Sequence, residues 1–118
     1  MKIILSTENS LTAMRLRDYI IKSVTGEIEG LSIETWSYTR SGNNYDILFH
    51  NPEQFTLEPA KNVLFKLEID GSNVLLSSVW WKNNPEPIYE IVCLHTGRLT
   101  EMLLRYFSGK YIKFSIVD

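Results

Sequence analysis

The chain has little of what catalysis or secretion usually needs. One cysteine, Cys93, stands among 118 residues. It can form no internal disulfide, which fits a reducing compartment. Histidine occurs twice, at His50 and His95, and with Cys93 the pair gives no metal-ligand spacing. A zinc site needs three or four converging ligands, so no metal and no cofactor is expected. The glycines, at Gly26, Gly30, Gly42, Gly71, Gly97 and Gly109, are too dispersed for a phosphate-cradling loop. No run of about 18 apolar residues is present, so no transmembrane helix is expected. The opening run Met1-Lys2-Ile3-Ile4-Leu5-Ser6-Thr7-Glu8 turns polar too soon for a signal peptide. The cytoplasm is the expected location. No repeat, low-complexity tract or linker interrupts the chain.

What is present is an ordinary globular composition, 44% hydrophobic and 22% charged, which suits one domain, residues 1–118, with a single core. The net charge of −2 is unevenly spread. Residues 27–70 hold eight acids against Arg40, Lys61 and Lys66, while the flanking segments are slightly basic. A negative field repels phosphate and argues against nucleic acid as a direct ligand. It would attract a basic protein and speed the encounter.

Periodicity predicts an α+β fold: one mostly antiparallel sheet of about six strands with two helices, in the order β-α-β-β-β-β-α-β. Ile3-Ile4-Leu5 reads as a buried strand. Asn9 or Ser10 can cap a helix carrying Leu11, Ala13, Leu16, Ile20 and Val24 at helical spacing, with Gly26 as its stop. Residues 31–38 alternate as a strand that puts Trp36 and Tyr38 on one face. Arg40-Ser41-Gly42-Asn43-Asn44 is a turn, and residues 45–50 form the next strand, ended by Asn51-Pro52. Residues 63–69 and 74–80 flank Asp70-Gly71-Ser72-Asn73, the clearest hairpin. Pro87 suits a first helical turn. Ile88, Ile91, Val92, His95, Leu99, Met102 and Leu103 then trace one face of a long helix to about residue 108. Residues 111–117 alternate as a last strand. Leu16, Ile20, Phe65, Leu67, Leu76, Leu99, Leu103 and Ile116 are the expected core, with both helices on one face of the sheet.

The search for chemistry finds no converging set. On a helix, Cys93 and His95 point about 200° apart, so they cannot act as nucleophile and base for each other. Cys93 reads as a small packed hydrophobe and His95 as a hydrogen-bonded core histidine. His50 reads as a solvated histidine at a strand end. Trp36, Tyr38, Arg40 and Tyr45 interleave aromatic and basic character in the manner of single-strand binders, but the acidic segment around them opposes that reading. No enzymatic activity is expected.

The most informative stretch is Val79-Trp80-Trp81-Lys82-Asn83-Asn84-Pro85-Glu86-Pro87. Alternation sends adjacent strand residues to opposite faces, so one tryptophan can enter the core while its neighbour stays outside. An outward tryptophan beside polar residues suits a recognition surface, because tryptophan is enriched among residues that dominate binding energy. The segment Tyr45–Asn51, NPEQF at Asn51–Phe55, NVLFKLEIDG at Asn62–Gly71, WWKNNPEP at Trp80–Pro87 and LHTGRLTEMLLRYF at Leu94–Phe107 together resemble small bacterial immunity proteins. Those proteins neutralise the toxins of contact-dependent growth inhibition and related polymorphic-toxin systems. The resemblance implies a cytoplasmic, stoichiometric inhibitor of one toxin domain, without cofactor, nucleic acid or membrane as partner. For such a partner, basic at the interface, the expected steering acids are Glu34, Asp46, Glu53 and Glu58. The expected anchors are Trp36, Tyr38, Tyr45 and one of Trp80 or Trp81. The rival reading is a small ligand-binding or enzymatic α+β domain with a pocket between sheet and helices near His50 or His95.

Overall fold

The computed structural model describes residues 1–51 and 62–118. Six strands form one sheet: β1 (Lys2–Ser6), β2 (Trp36–Arg40), β3 (Asp46–His50), β4 (Leu64–Asp70), β5 (Asn73–Val79) and β6 (Lys113–Val117). Their spatial order is β2-β3-β4-β5-β1-β6, and every neighbouring pair is antiparallel. Helix α1 (Ser10–Val24) follows β1, and helix α2 (Tyr89–Phe107) lies between β5 and β6. The predicted α+β architecture and element order are those of the structure.

Local chemistry explains the boundaries. The Asn9 Oδ1 accepts the Thr12 backbone N–H at 2.9 Å, which satisfies one of the orphan donors of the first turn of α1. Gly26 takes a φ of +80° just past the helix, a conformation that costs glycine little. In the β4–β5 hairpin Gly71 has a φ of +59°, so the two strands meet in register with Asp70 opposite Asn73. Helix α2 begins later than the sequence predicts. Its N-cap is Ile88, and Pro87 stands outside the first turn.

The sheet's alternation then sorts the side chains. Ile3 pairs with Leu76 and Leu5 with Val74. Leu76 pairs with Leu67, and Phe65 with Leu48. These residues share one buried cluster with Leu16 and Ile20 of α1 and with Leu99, Leu103 and Phe107 of α2. Both helices therefore cover the same face. Tyr19 of α1 meets Phe107 of α2 edge to face, with ring centroids 5.7 Å apart. Seven of the eight predicted core residues are buried.

Three expectations are corrected. Ile116 is 48% exposed. It faces Ile3 across the β1–β6 ladder, but β6 is an edge strand and the principal helix–sheet contacts fall on β2 to β5. Leu11, assigned to the inner stripe of α1, is exposed, whereas Ser23 is buried with its hydroxyl donating to the Tyr19 carbonyl at 2.6 Å. The strand predicted over residues 31–38 runs instead from Trp36 to Arg40. Its register is fixed from the turn, where the Asn44 N–H donates to the Ser41 carbonyl at 2.9 Å. Strand β3 ends at His50, opposite Trp36, and the contact just beyond it is the Asn51 N–H donating to the Thr35 carbonyl at 2.7 Å.

Candidate functional site

The expected partner-binding residues fall into two separate regions. The first is the β2–β3 end of the sheet. Here Tyr38 Oη donates to Asp46 Oδ1 at 2.6 Å, and Arg40 Nη1 donates to the same oxygen at 3.0 Å. The hydrogen bond to Asp46, followed by partial burial, raises the Tyr38 hydroxyl above the ordinary tyrosine range. The Asp46 charge is thus compensated within the sheet, which leaves little of it to steer a distant partner. Tyr45 is exposed, but Lys66 Nζ sits 3.6 Å from its ring centroid, a cation–π contact that covers one face of the ring. Glu34 is exposed and only loosely engaged, with Ser32 Oγ at 3.5 Å. Glu53 and Glu58 lie outside the described residues.

Trp36 is the clearest correction to the expected anchors. It is only 3% exposed, packed against His50 at a centroid distance of 5.3 Å and against Phe65 at 6.2 Å. Strand parity puts Trp36 on the helix-covered face, so it supports the fold and presents almost no area to a partner. His50 is also buried, at 7% exposure, and is not the solvated histidine that its strand-end position suggested. The β2 and β3 register places its ring opposite Trp36, beneath α2.

The second region is the loop after β5. Trp80 and Trp81 are 39% and 38% exposed, so neither is a core residue and both present a large apolar surface. They lie beyond Val79, which pairs with Leu64, and Leu64 pairs with Phe49. Tyr45 lies four residues upstream of Phe49 and two strands away from β5. At roughly 3.4 Å per residue and 4.8 Å per strand, this puts the tryptophans about 20 Å from Tyr45. The sequence grouped these aromatics together, but the sheet separates them.

Trp80 forms one wall of an open cleft of about 270 Å³ between the β5–α2 loop and the start of α2. Tyr89 forms another, with Glu86, Pro87 and Asp118 at the rim. Tyr89 Oη donates to Asp118 Oδ2 at 3.3 Å. Its hydroxyl is held above the ordinary tyrosine range, first by a hydrogen bond with the Cys93 thiol and then by the negative charge of Asp118. Cys93 is thus half-buried beside this cleft rather than fully packed. Sequence reasoning missed Tyr89 and Asp118. Tyr89 carried a signal: it is an aromatic residue off the apolar stripe of α2, next to the tryptophan loop. Asp118 carried none, because only the pairing of β6 with β1 brings it there.

A second cleft, of about 310 Å³, opens between the β2–β3 pair and α2. Trp36 and His50 form its floor, and Arg98, Glu101 and Arg105 project from successive turns of the helix. Arg105 also stacks on Tyr106, with the guanidinium carbon 5.2 Å from the ring centroid. His95 is fully buried in the core and does not line this space.

Among the described residues, no three His, Cys, Asp or Glu side chains are grouped to hold a metal ion. No helix among them is long and apolar enough to cross a membrane. No protein-family model, no curated protein and no solved structure matches the chain.

Proposed function

We propose that the chain is an immunity protein that binds a cognate bacterial toxin domain in the cytoplasm and blocks its active site or substrate surface. One observation carries the reading: Trp80 and Trp81 stand side by side at the end of β5, each more than a third exposed. Adjacent tryptophans held outside the core by a polar, proline-bounded loop have the composition of a binding hot spot. The toxin class that best suits this surface is a nuclease, whose substrate cleft is basic. The chain acts stoichiometrically, without turnover. The decisive experiment co-expresses the chain with the toxin region encoded next to its gene and measures growth. Rescue that is lost on Trp80→Ala/Trp81→Ala, with the fold retained, is the expected result. Failure of the intact chain to rescue growth or to co-purify with the toxin overturns the reading.

The cleft between β2, β3 and α2 favours a second reading, a small ligand-binding or enzymatic domain. Arg105 and the aromatic floor of Trp36 and His50 would suit a compact anion with an apolar face. A thermal-shift screen of small carboxylates and phosphates tests it. A saturable rise in melting temperature that disappears in Arg105→Gln supports this alternative over the inhibitor.

A further inference from the structure

The cleft bounded by Trp80 and Tyr89 has a composition that selects its occupant. Its walls are aromatic, and its rim carries two carboxylates, Glu86 and Asp118. Met1 also lines this space, and its amino group donates to Ser78 Oγ at 3.1 Å. All four side chains that matter here are solvent-accessible. Aromatic faces attract cations through their quadrupole, most strongly tryptophan. Carboxylates beside them add charge and hydrogen-bond acceptors. Of the two long cationic side chains, arginine fits better. Its planar guanidinium stacks on rings, donates in a fixed fork and gives up its water more readily than an ammonium group.

We infer that this cleft receives an arginine side chain of the protein partner, with Trp80 and Tyr89 against the guanidinium and Glu86 and Asp118 as its acceptors. This rests on the proposed inhibitor reading and narrows it. The electrostatic contact is moved from the acidic middle of the chain to the junction of β5, α2 and the end of β6.

The test does not require the toxin. The ¹⁵N-labelled chain is titrated with the capped tripeptide acetyl-Gly-Arg-Gly-amide and with its citrulline counterpart, a neutral near-isostere. Backbone amides of Glu86 and of residues 88–92, with the Trp80 indole N–H, report binding. The expected result is saturable shifts in the millimolar range with the arginine peptide alone. Glu86→Gln should weaken them by roughly threefold, and Glu86→Gln with Asp118→Asn by about tenfold, as loss of charge-assisted contacts predicts. Equal response to arginine and citrulline, no response to either, or full retention in the double variant overturns the proposal. The dispersed spectrum of each variant reports that it is folded, and the single Glu86→Gln variant keeps the test valid if the double one is not. The two readings fail separately. An intact chain that does not rescue growth removes the inhibitor reading whatever the peptides do. Rescue that survives Trp80→Ala with Glu86→Gln removes the arginine cleft and leaves the inhibitor standing.

Discussion

Trp36 and the Trp80–Trp81 pair all stand at strand ends, yet the sheet treats them in opposite ways. Trp36 begins β2 and is 3% exposed, whereas Trp80 and Trp81 follow β5 and are more than ten times as exposed. Trp36 stands on the covered face of the sheet with His50 and Phe65 around it. The paired tryptophans have passed the last rung of the β4–β5 ladder, Leu64 opposite Val79. The difference shows that an aromatic residue's role in this fold depends on which face it occupies and whether the helix layer reaches it. The residue type alone does not decide.

The sharpest way to break that comparison is to truncate the buried member. Trp36→Ala should cost roughly 3–5 kcal/mol, the usual range for deleting a buried large aromatic. Chemical denaturation measures it, and a cost below about 1 kcal/mol would show that Trp36 is not part of the core. Leu103→Ala tests the helix layer above it. Leu103 is fully buried, so the expected loss is about 2–5 kcal/mol, and an unchanged melting temperature would mean that α2 presents a different face.

The exposed members should behave in the reverse manner. Trp80→Ala or Trp81→Ala should cost less than about 1.5 kcal/mol of stability, because only part of each side chain leaves water on folding. Loss of a hot-spot tryptophan should nevertheless weaken toxin binding by about 2 kcal/mol, roughly thirtyfold, mostly through faster release. Surface plasmon resonance separates the rates. Equal effects of Trp36→Ala and Trp80→Ala on both stability and affinity would erase the distinction.

The smallest effect concerns Tyr38, in the middle of β2 and opposite Leu48. Its hydroxyl proton is held above the ordinary value of 10.0 by the hydrogen bond to Asp46. A raised native value means that the folded state binds this proton more tightly than the unfolded state does. The resulting stability is complete below the ordinary value and is lost as pH rises through the native one. Tyr38→Phe should therefore cost about 1 kcal/mol near neutrality, and the gap to the unaltered chain should narrow above pH 10. Melting curves in neutral and strongly alkaline buffer measure the gap, and one that stays constant would mean that the Tyr38–Asp46 bond contributes nothing.

Short-range pattern was enough for the class of fold and most of its core. Helical spacing in α1 and α2, the β4–β5 alternation around Asp70-Gly71-Ser72-Asn73 and the Asn9 cap are local signals. They depend on residues within a few positions of each other. Seven of eight expected core positions followed from them. Tertiary structure decided what local pattern cannot. The pairing of β2 with β3 turned Trp36 and His50 inward, and the edge position of β6 left Ile116 half in water. The same β6 pairing brought Asp118 beside Tyr89, residues 29 positions apart in the chain. It thereby turned a tryptophan-rich loop, legible in the sequence, into one wall of an acidic, aromatic cleft that was not. The physical reason is that alternation specifies two faces for each strand but not which face the helices cover. That choice is made by long-range ladder register and by where the helix layer ends.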